Sequence, residues 1–246
     1  MKINHCLLTL LLLTPENLSL ASWKELIIWN VGQGLWVTLV TEQACHHMDM
    51  GGEKNVIKDV LKVCKNKAHT LSLSHGDWDH LNFVKINKNK LPKLCLLHPP
   101  QSSSDKIKKI VSSSGLSLCV KANHRNSVKP FQAFYPFFAT PNENAKSLLF
   151  YTKKWLNPGD SEKAQERLWA DKIPLQYIEI LILGHHGSKT STSNYLLKHL
   201  KNLRIALSSS RKSKYGHPHE TVQHRLKKKK VPLIRTEIWG HIKIRF

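Results

Sequence analysis

Residues Tyr177-Ile178-Glu179-Ile180-Leu181-Ile182-Leu183 form an almost unbroken apolar run that stops at Gly184. A strand with one wet face alternates apolar and polar residues, whereas a run like this one suits a strand covered on both faces. Such a strand demands a layered architecture. Further runs at 25–29, 36–40, 70–74, 94–98, 116–120, 147–151, 203–208 and 241–246 also read as strands. Residues 53–66 place Val56, Ile57, Val60, Leu61 and Cys64 on one helical face. Helices are also expected at 161–170, 191–202 and 218–228, the last opening on Pro218, a favoured first helical residue. The pattern is α/β without internal repeats. Residues 122–146, with Pro130, Pro136 and Pro141, read as a loop region.

The first residues follow a different rule. Lys2 precedes the short apolar run Cys6 to Leu13, and a polar stretch then ends in Ser19-Leu20-Ala21. A basic start, a short apolar centre and a small-x-small end are the marks of a secretory signal peptide, expected here over residues 1–21. Residues 22–246 are then one domain. Export, to a periplasmic or extracellular location, changes the cysteine arithmetic. Cys45, Cys64, Cys95 and Cys119 remain, and an oxidising compartment permits two disulfides in three possible connectivities. Four buried thiols account for them equally well. There is no CxxC pair, which argues against a thiolate zinc knuckle. No stretch reaches the 18 or so apolar residues that a membrane-crossing helix needs, so no transmembrane segment is expected.

Charge narrows the partner. The chain of 246 residues has 38 Lys and Arg against 17 Asp and Glu, a net charge of +21. Residues 201–246 alone carry 13 basic and 2 acidic side chains. Such an excess points to an anionic partner, nucleic acid or an anionic surface, and charge alone does not choose between them.

Chemistry concentrates in Ser74-His75-Gly76-Asp77-Trp78-Asp79-His80, directly after a strand-like run. Two imidazoles and two carboxylates this close can converge on one point from a loop, and mixed N/O ligation suits zinc or manganese, divided between two ions. Three further clusters lie at comparable element ends: Pro158-Gly159-Asp160, Gly184-His185-His186-Gly187-Ser188-Lys189, and Tyr215-Gly216-His217-Pro218. Taken singly, the first reads as a helix cap and the last as N-capping. The His pair divides evenly between ligand and buried core.

Taken in order, these clusters resemble the metallo-β-lactamase fold, and more narrowly the hydrolase domain of the competence DNA-uptake channel protein ComEC. The resemblance runs from Asn30-Val31-Gly32-Gln33-Gly34 through Met48-Asp49-Met50-Gly51-Gly52, the His75–His80 stretch and Ser147-Leu148-Leu149. It continues through Gly159-Asp160, the His185–Ser191 block, Tyr215-Gly216-His217-Pro218 and Gly240-His241-Ile242. It implies a four-layer αββα sandwich with the site at one edge of two sheets. It also implies His75, Asp77, Asp79 and His80 as metal-site residues, Asp160 as the bridge between ions, Asp49 as support, and one of His185/His186 as a ligand, with His185 preferred as the first after the strand. His217 is expected as a further ligand or a contact to the leaving group. The sequence departs from the pattern at Asn30 and Leu35 where acids are usual, at Asn82 and Phe83 where glycines are usual, and at Asn157-Pro158 where apolar residues are expected before Gly159.

The resulting expectation is a metal-dependent phosphodiesterase acting on DNA or RNA. Two Zn²⁺ or Mn²⁺ ions would lower the pKa of a shared water and yield a hydroxide that attacks phosphorus, with Asp79 orienting it. Lys189, Ser188 and His217 would neutralise charge on the phosphate and departing oxygen. Two rivals differ in substrate: a small-molecule hydrolase of the same fold acting on a lactam, lactone or thioester, or a non-catalytic nucleic-acid-binding protein.

Overall fold

The computed structural model describes residues 23–101, 104–119, 130–136 and 142–246. The expected export segment, residues 1–21, lies outside the described residues. Two six-stranded mixed sheets form the centre of the fold. The first contains β1 (Trp23–Ile28), β2 (Val37–Thr41), β3 (Ala44–Met48), β4 (Ala68–Ser72), β5 (Cys95–His98) and, at its far edge, β12 (Ile242–Arg245). Its order is β12-β1-β2-β3-β4-β5. The second contains β6 (Gln132–Phe134), β7 (Leu149–Tyr151), β8 (Trp155–Asn157), β9 (Ile180–Ile182), β10 (Ile205–Ser208) and β11 (Leu233–Arg235), ordered β11-β10-β9-β8-β7-β6. Helices α1 (Ile57–Val63), α2 (Trp78–Leu81), α3 (Val84–Asn87) and α4 (Asp105–Ser113) accompany the first sheet. Helices α5 (Lys163–Trp169), α6 (Asn194–His199), α7 (Lys212–Tyr215), α8 (Glu220–Lys228) and α9 (Thr236–Trp239) follow in the second part of the chain.

Alternation along the strands explains the layering. On β1, Leu26 and Ile28 join an apolar layer that also holds Phe150, Trp155, Ile180, Ile182 and Leu207 of the second sheet. That layer is the seam between the sheets. Ile27 and Trp29 point the other way, into a cluster with Val60 of α1 and Leu81 and Val84. On β9, Ile180 and Ile182 face the seam while Leu181 joins Trp169, Leu196, Leu197, Val222 and Leu226 on the helical side. Every residue of β9 is buried, as the apolar run requires. The architecture is therefore the expected αββα sandwich. Among the described residues, no helix is long and apolar enough to cross a membrane.

Several local expectations are corrected. β3 is a full strand that apolar patterning misses, because Ala44-Cys45-His46-His47-Met48 carries two histidines. Those rings are satisfied by side-chain hydrogen bonds, His46 Nδ1 to Thr70 Oγ1 at 2.9 Å and His47 Nε2 to His69 Nδ1 at 3.1 Å. Of the expected strand 116–120, the described residues 116–119 contribute one isolated bridge, Leu118 to Leu96. The loop region 122–146 contains β6, and helix α8 opens at Glu220, with His219 as its cap in place of Pro218. The four cysteines form two disulfides, Cys45–Cys64 and Cys95–Cys119.

Candidate metal centre

Parallel strands bring the site together. β3 and β4 run parallel, as do β8, β9 and β10, so the segments after their C-terminal ends emerge at one edge of the sandwich. Asp49 follows β3, His75 to His80 follow β4, Asp160 follows β8, His186 follows β9 and Ser209 follows β10. Loops leaving the carboxyl ends of strands are the usual place for a site in such sheets.

The backbone seats the first of these loops closely. Leu35 N–H donates to the Asp79 carbonyl at 3.0 Å, and Met50 N–H to the His80 carbonyl at 2.8 Å. A Cβ on Gly51 or Gly34 would collide with the Asp79 carbonyl, which is why the two glycine motifs flank the His75–His80 stretch in space. Two of the departures from the family pattern have structural work here. Asn82 clamps the Gly52 peptide in both directions, its Oδ1 accepting from Gly52 N and its Nδ2 donating to Gly52 O, each at 2.9 Å. Phe83 is buried in the core against the first sheet. Leu35 is buried in the seam, and Asn30 gives its backbone N–H to His241 Nδ1. The acid that braces this loop is instead Glu53, which accepts from Gln33 N–H at 3.1 Å and pairs with Arg211 at 2.8 Å.

Three imidazoles are held by their Nδ1 atoms and aim Nε2 at a common space. His75 Nδ1 meets Ser74 Oγ at 2.9 Å, His80 Nδ1 meets Asp49 Oδ2 at 2.8 Å, and His186 Nδ1 donates to the Ser209 carbonyl at 2.9 Å. Asp49 is itself fixed by Ser74, whose N–H and hydroxyl both donate to it at 2.7 Å. Anchoring Nδ1 to a carboxylate or carbonyl is how metal-binding histidines are oriented. On the inner side, His80 Nε2 lies 3.1 Å from both Asp160 Oδ1 and His186 Nε2, and His186 Nε2 lies 3.1 Å from Asp79 Oδ2. His75 Nε2 lies 3.5 Å from Asp77 Oδ2 and 3.9 Å from Asp160 Oδ2. Two overlapping donor groups result: His75, His80 and Asp160, and Asp79, His80 and His186. The donor set fits divalent cations. His75 Nε2 is buried without any hydrogen-bond partner, a cost of roughly 1–3 kcal/mol that ligation removes.

The charges are mutually adjusted. Burial opposes a charge on His80, but Asp160 and then Asp49 outweigh it and hold its pKa well above the usual imidazole value. Burial is likewise overcome at His186, which Asp160 and Asp79 push up. Asp160 is buried too, yet the imidazoles of His80 and His186 hold its carboxyl well below the usual range. Asp79 is held low in the same way, against burial, by His186 and His80. The carboxylates are thus kept ionised, the form a cation requires.

His75, Asp77, Asp79, His80 and Asp160 therefore converge as the sequence suggests, with Asp160 between the two groups. The preference for His185 is corrected. Both residues of the pair adopt left-handed backbone, φ 47° at His185 and 54° at His186, and this turn sends His186 inward. His185 sits at the rim, 24% exposed, with Nε2 3.7 Å from Asp160 Oδ2 and Thr190 Oγ1 beside its Nδ1 at 3.3 Å. His217 stands outside the two groups, its ring 6.1 Å from that of His185, and burial followed by His186 and His185 pushes its pKa down to about 4. Lys189 is exposed and lines a neighbouring cavity with Lys163 and Arg225. Ser209 and Glu53 had no sequence signal beyond their position after a strand-like run and after Gly51-Gly52.

A third group, His47, Cys64 and His69, does not qualify as a metal site. Cys64 is bonded to Cys45. Trp36 Nε1 donates to His47 Nδ1 at 3.2 Å, so the His47 proton sits on Nε2, where a ligand would need its lone pair.

Comparisons with known proteins agree with this fold. No family model matches the chain. ComE operon protein 3 of Bacillus subtilis is 26% identical over 210 residues, 79% of this chain and 27% of that protein. Recombination protein 2 of Haemophilus influenzae is 26% identical over 251 residues, 98% of this chain and 31% of its own length. Competence protein ComA of Neisseria gonorrhoeae is 25% identical, covering 94% of this chain and 36% of that protein. Among solved structures, a diphosphatase from the PhnP family superposes with TM-score 0.57 at 12% identity, covering 91% of this chain and 98% of its own. The metallo-β-lactamase fold protein YhfI from Bacillus subtilis gives 0.56 at 10% identity, covering 91% and 100%. The chain has the metallo-β-lactamase fold and resembles the ComEC hydrolase domain. It spans about a third of the length of the curated relatives it matches.

Proposed function

We propose that this chain is an exported, metal-dependent phosphodiesterase that cuts nucleic acid. The observation that carries the reading is the convergence of three Nδ1-anchored histidines on three carboxylates at one edge of the sandwich. The two overlapping groups, His75 with His80 and Asp160, and Asp79 with His80 and His186, would hold the cations, with Asp77 beside His75. Bound Zn²⁺ or Mn²⁺ supplies Lewis acidity toward a phosphoryl oxygen and lowers the pKa of water toward neutrality. The chain's own residues do the rest. Asp49, Ser74 and the Ser209 carbonyl hold the rings so that no reorientation is needed at the moment of reaction. Asp79, fixed by His186 at its Oδ2, orients the attacking water through its other oxygen. His217, whose lowered pKa leaves it neutral near pH 7, is placed beside His185 where a departing oxygen can meet a ring nitrogen.

Nucleic acid is favoured as substrate by the net charge of +21, because phosphate contacts dominate nucleic-acid affinity. The competence and recombination names of the relatives point the same way. Export is supported by the basic and apolar start of the sequence and by the pairing of all four cysteines after residue 21.

The test is to incubate the protein with plasmid, single-stranded DNA and RNA, with Zn²⁺ or Mn²⁺ and with chelator, beside an Asp79→Ala/His80→Ala variant. Metal-dependent cleavage that the variant loses is the expected result. Salt-sensitive binding without cleavage would leave a nucleic-acid-binding protein. Absence of both would leave a small-molecule hydrolase.

A further inference from the structure

Beyond His185 the surface opens into a cavity of about 510 Å³, lined by Glu162, Lys163, Lys189, Thr190, Thr221 and Arg225. Three separate parts of the chain build it: the start of α5, the loop after the His185–His186 turn, and α8. Its walls are tied together. Lys163 N–H donates to the Thr190 carbonyl at 2.8 Å, and Arg225 donates from one guanidinium nitrogen to the carbonyls of Ser191 and Thr192, both at 3.0 Å. That bonding fixes the Arg225 fork and leaves its remaining N–H groups for a ligand.

Three cations therefore share this space with one carboxylate, and that carboxylate is engaged elsewhere. Glu162 Oε2 accepts from Asn142 Nδ2 at 3.2 Å, and its Oε1 lies 4.0 Å from His185 Nδ1. The crowding registers at Lys163, whose ammonium is held below the usual lysine value by burial and then by Arg225, with the buried Glu166 carboxylate opposing and Lys189 adding to the effect. An anion placed among the three would relieve it. The hydroxyls of Thr190 and Thr221 on the same wall are paired with Ser188 and His185 and with His219. The fixed guanidinium and the ammonium donors suit a phosphate, and the volume admits a nucleotide around it. The cavity also starts next to the metal centre, since Thr190 touches His185, whose Nε2 is 3.7 Å from Asp160.

We propose that this cavity is a subsite for a phosphate of the nucleotide adjoining the scissile bond, so that the enzyme prefers a phosphodiester chain to an isolated diester. The proposal rests on the phosphodiesterase reading for its place in catalysis. Lys189 then grips a neighbouring phosphate and does not act on the departing oxygen.

Lys163→Gln is the test variant, because the Lys163 side chain is partly exposed and its backbone bond to Thr190 survives substitution. Binding of a short labelled single-stranded oligonucleotide is measured in chelator, so that no turnover is required. The expected result is about tenfold weaker binding, with the slope of log affinity against log salt reduced by about 0.7, the loss of one phosphate contact. Lys163→Arg should restore both. With metal added, the KM for the oligonucleotide should rise while kcat/KM for bis(p-nitrophenyl) phosphate, which has one phosphate, stays at the wild-type level. Unchanged oligonucleotide binding in Lys163→Gln, or no binding by the wild type, overturns the subsite, as does an equal loss on both substrates. Weakened metal-free binding in a protein that hydrolyses neither substrate supports the subsite and sinks the phosphodiesterase reading instead.

Discussion

The two sheets contribute to the metal centre in opposite styles. The first delivers His75, Asp77, Asp79 and His80 from one short stretch after β4, braced by Asp49 from the adjacent strand. The second delivers Asp160 and His186 from separate loops after β8 and β9, with Ser209 behind them. The first sheet is also cross-linked. Cys45–Cys64 ties β3 to the end of α1, and Cys95–Cys119 ties β5 to the chain after α4, whereas no disulfide joins strands of the second sheet among the described residues. One half thus holds its donors through local sequence and covalent ties, and the other through the packing of parallel strands.

The contrast can be broken most severely at the shared donor. Asp160→Asn removes the carboxylate that touches His75, His80 and His186 alike. Activity should fall at least about 10³-fold and bound metal should drop, as read by turnover and by metal analysis of the purified protein. Asp77→Asn, at a side chain 44% exposed, should lose far less. Next comes the covalent side of the comparison. Cys45→Ser/Cys64→Ser should lower the unfolding free energy by about 3 kcal/mol, the order expected for a loop of this length. Denaturant titration gives the total, and hydrogen exchange should place the loss in the first sheet.

Asp49→Asn tests positioning. The His80 ring loses its carboxylate anchor while its Nε2 remains, so metal affinity should fall about 10–100-fold with the fold intact by circular dichroism. The smallest effect concerns pH and again lies in the first sheet. His46 has its pKa lowered to about 4 by burial, and His47 and His69 are also lowered by burial. Below pH 6.5 the unfolded chain binds protons that the folded chain refuses, so their contribution is complete above 6.5 and is lost as pH falls toward 4. For His46 the loss should be roughly 1–2 kcal/mol after solvent relaxation is discounted. Urea midpoints at neutral and acid pH should differ less in His46→Gln than in the parent.

The same contrast explains what the sequence made legible. His75 to His80 could be read because all four donors are contiguous and follow a strand, and the apolar run before Gly184 marked the buried β9. His186 could not be separated from His185 by any periodicity, because both residues are left-handed and the turn alone decides which ring enters. β6, β8 and β11 are three residues long, too short for alternation to register. β3 hid behind its histidines. Helix α1 is shorter than the expected 53–66 because Glu53 is used to hold Arg211 and the Gln33 turn.

The centre is split across the seam, and its last donor stands 106 residues after His80. A chain being made from its N-terminus completes the four-donor loop early, yet lacks the shared carboxylate and the inner histidine until most of the second sheet has followed. The donor set is therefore incomplete in any unfinished chain, and it closes only when the loops after β8 and β9 have joined those of the first sheet.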